Sequence, residues 1–476
     1  MTSLWTLEAM AAAMRADKSG ALPDSITGIS IDTRTIQPGE AFFAIRGENR
    51  DGHEFVNAAL KAGAGLAVIA RDKRAQFANE APLLAVDDVL DGLRDLARAA
   101  RARLKGKVIA ITGSVGKTGT KEALRLALSA EGKTHASAAS YNNHWGVPLS
   151  LARCPADVKY AVFEIGMNHA GEITPLTKLV RPDVAIVTTI APVHLEYFGS
   201  LEKIADAKAE IFLGVVPGGA AVINCDIPQY DQLRHAAKAA GVARIVSFGE
   251  HAEADARLVR VALAPDSSSV ETNIFGSLVS YKIGAPGRHL ALNSLAVLAA
   301  AALTGADLAL AALALAQWQP SAGRGQRITL ILPGGQALLI DESYNANPAS
   351  MRAALALLGQ AAVGPRGRRI AVLGDMLELG TAGPRLHAEL ADTAAAAGID
   401  SVYCSGPLMR LLWEALPSTL RGGYAESAAA LEPAVIEGLC PGDAVMIKGS
   451  LGSKMGPIVK ALQKRFPRAP AEAAKV

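Results

Sequence analysis

From Lys107 onward the chain alternates short apolar runs with longer stretches in which apolar residues return every third or fourth position. The runs are KVIAIT (107–112), YAVFEIG (160–166), VAIVTT (184–189), AAVINC (220–225) and RIVSF (244–248). Runs this short and this uniformly apolar predict strands buried on both faces, and the intervening spacing predicts helices. Together they predict a mainly parallel sheet. Residues 256–286 instead alternate apolar and polar positions, as additional antiparallel strands would. The pattern then restarts with ALLIDES (337–343), RIAVLGD (369–375), SVYCSG (401–406) and AVMIKGS (444–450), which implies a second doubly wound α/β unit. Before Lys107 the chain mixes short strands such as AFFAI (41–45) with a helix over DGLRDLARAARARL (91–104), whose apolar face is Leu93, Leu96, Ala97 and Ala100. QPSAGRGQR (319–327) is expected to be a linker.

The 476 residues suggest about three domains of roughly 150 residues each. The expected division is 1–104, 105–320 and 321–476. The fold class is α/β: a small N-terminal α/β domain, a central, mainly parallel sheet, and a C-terminal doubly wound, Rossmann-like domain.

Charge and composition remove several classes. With 48 basic and 45 acidic side chains the net charge is only +3, without the basic footprint of a nucleic-acid binder. The four cysteines form no C-x-x-C pair, so neither a disulfide framework nor a zinc site is signalled, and they read as reduced, buried thiols. The N-terminal segment carries Glu8 in its apolar part and no basic start, which argues against a secretory signal and for a cytoplasmic protein. The Ala-rich stretch 290–318 is broken by Asn293, Gly305 and Asp307, so it predicts two packed helices in place of a membrane span.

One stretch carries explicit chemistry: AITGSVGKTGTK, residues 110–121. The standard G-x-x-x-x-G-K-[ST] spacing fails, because Ile111 stands where the first glycine belongs. The order of strand, glycine loop and helix nevertheless survives. Backbone N–H groups of Gly113, Ser114, Val115 and Gly116 would converge on phosphate oxygens at a helix N-terminus. Lys117 would reach the terminal phosphates, Thr118 would ligate Mg²⁺, and Gly119 would continue the nucleotide-binding turn. An ordinary glycine-rich turn is the alternative.

Other candidates are less specific taken alone. Glu164 ends a predicted strand, where a carboxylate could hold Mg²⁺ or simply face solvent. His194 follows another strand, and Lys208 sits in a helical pattern where an exposed lysine is ordinary. Asp341, Asn345, Asn347 and Lys448 follow strands of the last unit and could share a cleft, with turn formation explaining them almost as well. The residues alone leave kinase, ATPase and ATP-dependent ligase open.

Several separate motifs resemble the Mur ligase family over nearly the whole chain. They are SIDTRTIQPGEAFFAIRGENRDGHEFV, YNNHWGVPLSL, FEIGMNHAGEI, HLEYFGS, AKAEIF, DESYNANPASM, LGDMLELG and KGSLGSKMG, and the shortened loop TGSVGKTGTK is usual in that family. The resemblance implies a three-domain enzyme that uses ATP and Mg²⁺. Its implied substrates are UDP-N-acetylmuramoyl-tripeptide and D-alanyl-D-alanine, joined through an acyl phosphate. A sibling that adds one amino acid is the nearest alternative, and the absence of a DNPR sequence weighs against the diaminopimelate-adding type. A monomer without nucleic-acid or membrane partners is expected.

The resemblance also implies roles by position. Asp32, Thr33, Arg34, Gly47, Asp51, Gly52 and His53 would surround the UDP-sugar, with Asn142 and Asn143 approaching from the central domain. Thr118 and Glu164 would hold one Mg²⁺, and His194 would help to hold a second. Lys208 falls where a carbamylated lysine is common. Asn293 would lie near adenine and Arg324 would reach the terminal phosphate, with Asp341 also on the nucleotide side. Asn345, Asn347 and the turn Lys448, Gly449, Ser450 would face the dipeptide. Leu451 and Gly456 depart from the family pattern in this last region.

Overall fold

The computed structural model describes residues 3–47, 49–138 and 140–469. The C-terminal positions 470–476 of the third expected domain lie outside the described residues. Among the described residues, three large sheets follow one another along the chain.

The first has five strands in the order Asp17–Ser19, Leu83–Val86, Leu66–Ala70, Glu40–Phe43, Gly28–Ser30. Its first pair is antiparallel and the rest are parallel. Helix Val89–Arg103 covers one face, and Leu93, Leu96, Ala97 and Ala100 are all buried as the pattern predicted. The helix starts at Asp88, whose side chain accepts the Asp91 N–H and satisfies an otherwise orphaned donor.

The central sheet has nine strands. Strand Lys107–Thr112 is flanked by Tyr160–Glu164 and Val184–Val187, both parallel to it. Register pairs Glu164 with Ile111 and Val187 with Thr112, so Glu164, Gly113 and Thr188 reach the carboxyl edge together. Chain order reverses around this strand, and such a switch point opens a crevice at the carboxyl ends. Burial explains the uniformly apolar strands. Ile109 and Ile111 enter one core while Val108 and Ala110 enter the other. Ala256–Leu263, Ser268–Ile274 and Ser277–Ile283 extend the sheet as an antiparallel meander, as the alternating pattern indicated. The Ala-rich stretch forms helices Arg288–Leu303 and Leu308–Ala314, and no helix among the described residues is long and apolar enough to cross a membrane.

The C-terminal sheet has six strands in the order Gln326–Leu332, Gly335–Glu342, Ala444–Lys448, Arg369–Gly374, Ser401–Ser405, Arg421–Ala425. Three expectations are corrected. The linker is shorter than its composition suggested, because Gln326 already opens an antiparallel hairpin with Asp341. Arg421–Ala425 is a strand although Gly422 and Gly423 weaken its signal: a Cβ at either would lie 2.6 or 3.0 Å from the ring of Tyr403. Finally, Cys154 and Cys404 are buried, but Cys225 is half-buried and Cys440 exposed, since both follow strand or helix ends.

The N-terminal sheet is fastened to the central one through helix Gly146–Ala152, whose Leu149 and Ala152 join the core containing Trp5 and Leu96. Trp5 Nε1 donates to Ala152 O at 2.9 Å, and Arg153 Nε donates to Ile29 O at 2.7 Å. Contacts between the C-terminal unit and the central one include a hydrogen bond from Arg324 Nη2 to Ser140 Oγ at 3.0 Å and the approach of Glu378 to His194.

Candidate active site

The glycine loop turns directly off strand Lys107–Thr112, and its glycines are required by space. Gly113 has φ +147°, and a Cβ there would lie 1.9 Å from Thr188 Oγ1. Gly116 has φ +89°, and a Cβ would lie 2.7 Å from Asn293 Nδ2. The loop is pinned from outside: Thr188 Oγ1 donates to Val115 O at 2.6 Å, Ser114 N to Thr189 O at 2.8 Å, and Ser114 Oγ to Ala191 O at 3.1 Å. Helix Lys117–Ser129 begins immediately after, so its partial positive charge points into the crevice. Lys117 Nζ donates to Gly113 O at 2.6 Å. Burial lowers the Lys117 pKa, and nearby Glu164 opposes that shift.

Beside the loop, Thr118 Oγ1 donates to Glu164 Oε2 at 2.9 Å and Asn142 Nδ2 donates to Glu164 Oε1 at 2.7 Å. Glu164 is only 1 % exposed, and neither of these partners is a cation. A hydroxyl and a carboxylate side by side fit Mg²⁺, which takes one or two protein oxygens and completes its shell with phosphate oxygens and water. Among the described residues no group of three or more His, Cys, Asp or Glu is placed to hold a metal ion.

Lys208 is the unusual group. Its side chain is buried and makes no hydrogen bond or ion pair among the described residues. Burial, followed by the charge of Lys117, holds its pKa well below the usual lysine range. A buried amine without a counter-charge favours its neutral form. Neutral amines add CO₂, so the environment fits carbamylation. The bland reading of Lys208 as an exposed helix lysine is therefore overturned. His194, with φ +55°, places Nδ1 2.5 Å from Glu378 Oε2 without good donor alignment. Burial lowers its pKa, and the Glu378 carboxylate pulls against that shift.

From the other side come residues of the C-terminal sheet. Arg324 stacks its guanidinium 4.2 Å from the Tyr344 ring centre. Lys448 is 2 % exposed and donates to Glu342 Oε2 and Asn345 O, both at 3.1 Å. Between the two carboxyl edges lies a cavity of about 510 Å³. It brings together Ser114 to Gly119, Asn142, Glu164, His194, Asn293, Arg324, Asn345, Asn347 and Lys448.

Other expected site residues lie elsewhere or are engaged by the scaffold. Asp341 does not line the cavity. Its Oδ2 accepts from Gly323 N at 2.8 Å, while Oδ1 accepts from Ser343 N and Oγ, so it holds the interdomain turn. Asn347 lines the cavity but also caps helix Pro348–Gly359 in a reciprocal capping box with Ser350. Asn143 Oδ1 accepts Gly146 N–H at the start of its helix. Ser450 Oγ accepts Leu377 N–H, and Gly449 packs where a Cβ would sit 2.4 Å from Ser453 Oγ.

The N-terminal group is separate from the cavity. Arg34 forks onto Asp32 through Nε and Nη2, and the hydrogen bond with Arg34 lowers the Asp32 pKa. Thr33 between them is half-buried. His53 Nε2 accepts Ala70 N–H at 2.9 Å, so Nδ1 carries the proton and donates to Asp51. Gly47 N donates to Arg50 O, and Gly52 lies so close to Ala44 and Ile45 that a Cβ would come within 2.6 Å of their backbone. His53 thus braces this loop with both ring nitrogens.

Sequence reasoning missed Ser140, Thr188, Asn224, His289, Glu342 and Tyr344, all of which line the cavity. Thr188, Asn224 and Glu342 share a usable signal: each is polar and sits at, or just beyond, the end of an apolar strand run. Ser140 and His289 lie in loop or helix-start positions with no such mark.

Comparison with known proteins agrees with this geometry. Residues 25–101 match the model of the Mur ligase family, catalytic domain, residues 111–301 the Mur ligase middle domain, and residues 323–451 the Mur ligase, glutamate ligase domain. The UDP-N-acetylmuramoyl-tripeptide--D-alanyl-D-alanine ligase of Rickettsia prowazekii is 32 % identical over 97 % of this chain and 100 % of its own. The Escherichia coli protein of that name is 34 % identical over 92 % and 94 %. Among solved structures, MurF from Acinetobacter baumannii superposes with a TM-score of 0.81 at 30 % identity, covering 97 % of this chain and 99 % of its own. MurF ligase from Thermotoga maritima in complex with ADP gives 0.74 at 26 %, covering 92 % and 98 %. With three family models matched in sequence order and relatives aligned from end to end, the chain belongs to the Mur ligase family.

Proposed function

We propose that this protein is an ATP-dependent ligase that joins D-alanyl-D-alanine to UDP-N-acetylmuramoyl-tripeptide in peptidoglycan precursor synthesis, acting in the cytoplasm as a monomer. The observation that carries this reading is the cavity itself: a glycine loop at a helix N-terminus on one sheet edge and the cationic Arg324 and Lys448 on the facing edge, around one shared cleft. The relatives' name supplies the two substrates. The four free cysteines suit a reducing compartment. Domains at 1–104, 105–320 and 321–476 fit the three successive sheets.

The chemistry follows from charge. The substrate carboxylate must attack the terminal phosphorus of ATP, and both are anionic. Lys117, the helix N-terminus behind it and Arg324 reduce that repulsion and stabilise charge on the transferring phosphoryl group. Mg²⁺, held by Thr118 and Glu164 with His194 at a second position, would add Lewis-acid stabilisation of the same oxygens. Carbamylated Lys208 would supply a further carboxylate toward the metals. Phosphoryl transfer releases ADP and leaves an acyl phosphate. The dipeptide amine then attacks the acyl carbon, loses a proton, and expels inorganic phosphate. Asn345 and Lys448, which line the cavity, would orient the incoming dipeptide. Asp32 to Arg34 and the Asp51 to His53 loop would hold the UDP end, outside the reacting cavity. Closer approach of the two sheets around bound substrates would keep water from the acyl phosphate.

The test is phosphate release by the purified protein with ATP, Mg²⁺, UDP-N-acetylmuramoyl-tripeptide and D-alanyl-D-alanine, omitting one component at a time. Release should require all four and yield a product heavier by the dipeptide. Better turnover with a single amino acid would make it a sibling ligase, and no release under any combination would leave a nucleotide-binding scaffold.

A further inference from the structure

The contact between His194 and Glu378 joins two sheets through two residues held in the left-handed backbone region. His194 has φ +55° and Glu378 has φ +63°, although neither is glycine. Such conformations cost on the order of 1 kcal/mol each and persist only where surrounding structure imposes them. They occur here in partners. His194 Nδ1 lies 2.5 Å from Glu378 Oε2, and Glu196 N donates to Glu378 O at 3.3 Å. Gly380, with φ +56°, lies against Glu196: a Cβ on it would lie 3.4 Å from the Glu196 Cα. The short segment after strand Val184–Val187 and the segment after strand Arg369–Gly374 are therefore seated on each other by backbone as well as side chain.

We infer that Glu378 is a positioning residue for His194, delivered by the C-terminal domain, so that docking of that domain completes the central site. This rests on the ligase reading for the importance of His194, but not for the clasp itself. A histidine that serves a metal or a phosphate through one ring nitrogen needs the other fixed, and carboxylates commonly do this. Glu378 approaches Nδ1 to 2.5 Å, where a small turn of the ring would align the bond, and leaves Nε2 as the ring nitrogen that does not face it. The carboxylate comes from the sheet that also carries Arg324 and Lys448. Hence Arg324 toward the terminal phosphate, Lys448 toward the dipeptide and the group that orients His194 would arrive in one movement. A clasp of this kind makes chemistry depend on closure without requiring Glu378 to touch substrate.

The test combines an interdomain distance with steady-state kinetics. Exposed Cys440 provides one label site and Leu278→Cys, at a position 79 % exposed on the central sheet, provides the other. Cys154 and Cys404 are buried with thiols pushed up to about 12 and stay unlabelled, while Cys225 is replaced by serine. In the full-length protein without ligands, Glu378→Ala and Glu378→Gln should broaden the label distance distribution toward longer values. His194→Ala should do the same, and the double variant should add nothing further. With substrates, Glu378→Ala should lower kcat about tenfold or more with little change in the KM for the UDP-tripeptide, and Glu378→Asp should recover part of the loss. An unchanged distance distribution in Glu378→Ala, or additive widening in the double variant, would overturn the inference. If the wild-type protein releases no phosphate, the ligase reading fails while the distance measurement still decides the clasp.

Discussion

The carboxyl edges of the central and C-terminal sheets meet across one cavity, yet they treat their polar side chains in opposite ways. On the central edge, Lys208 is buried with no partner among the described residues, Lys117 bonds only its own loop carbonyl, and Glu164 bonds two neutral groups. On the C-terminal edge, Asp341 spends both oxygens on the interdomain turn, Asn347 caps a helix, and Ser450 accepts from Leu377 N and donates to Ala346 O. Leaving a buried ionisable group without a partner costs several kcal/mol, and a fold keeps such groups where a ligand will complete them. A fully engaged edge is instead a rigid carrier. The difference supports the proposed division of labour, with the chemistry on the central edge and a few groups delivered from the C-terminal one.

The comparison can be broken at its strongest point first. Lys117→Ala should lower kcat by about 10³-fold or more, roughly 4 kcal/mol of transition-state stabilisation, since a charge at the transferring phosphoryl is removed. A near-normal kcat would end the phosphate-loop assignment. Gly113→Ala should destabilise the protein by about 3 kcal/mol, because its Cβ would collide with Thr188 Oγ1 at 1.9 Å. Thermal unfolding reads this directly, and a variant as stable as wild type would show that the loop can move away from Thr188.

Smaller effects sharpen the contrast. Lys208→Ala should slow turnover about 100-fold, near 2.7 kcal/mol, with partial rescue by a small added carboxylate such as formate. Labelled bicarbonate should give a carbamate carbon signal in wild type that this variant lacks. Absence of that signal in wild type would leave Lys208 an unmodified buried amine. On the engaged edge, Asn347→Ala should lose only about 1 kcal/mol, the value of a helix cap, seen as a modest fall in the melting temperature. Asn347→Asp keeps the cap and should restore stability. A dipeptide KM that stays raised in that variant would add a substrate contact to the capping role.

How much of this was legible in the sequence varied with the kind of signal. Strands buried on both faces wrote themselves as uniform apolar runs, so KVIAIT, YAVFEIG and VAIVTT were placed correctly. RGGYA hid behind two glycines that exist to make room for Tyr403. The hairpin strand from Gln326 was masked by the Pro and Gly residues just before it. At the site, the glycine loop and Glu164 could be read from order along the chain. Lys208 could not, because an aliphatic chain ending in an ammonium looks the same on a solvated helix as in a dry interior. Asp341 and His53 showed the reverse: motif residues whose hydrogen bonds serve the scaffold.

By itself, then, the sequence determined the alternation of strand and helix, the glycine loop between them and, through its motifs, the family. Those properties are local, set by periodicity, turn residues and short spacings. Tertiary structure alone decided which side chains lost water without gaining a partner, which polar residues were consumed by caps and turns, and that Glu378 would meet His194 from another sheet. These depend on burial and on contacts between residues far apart in the chain, where desolvation and hydrogen-bond geometry, which no local pattern encodes, determine what each group can do.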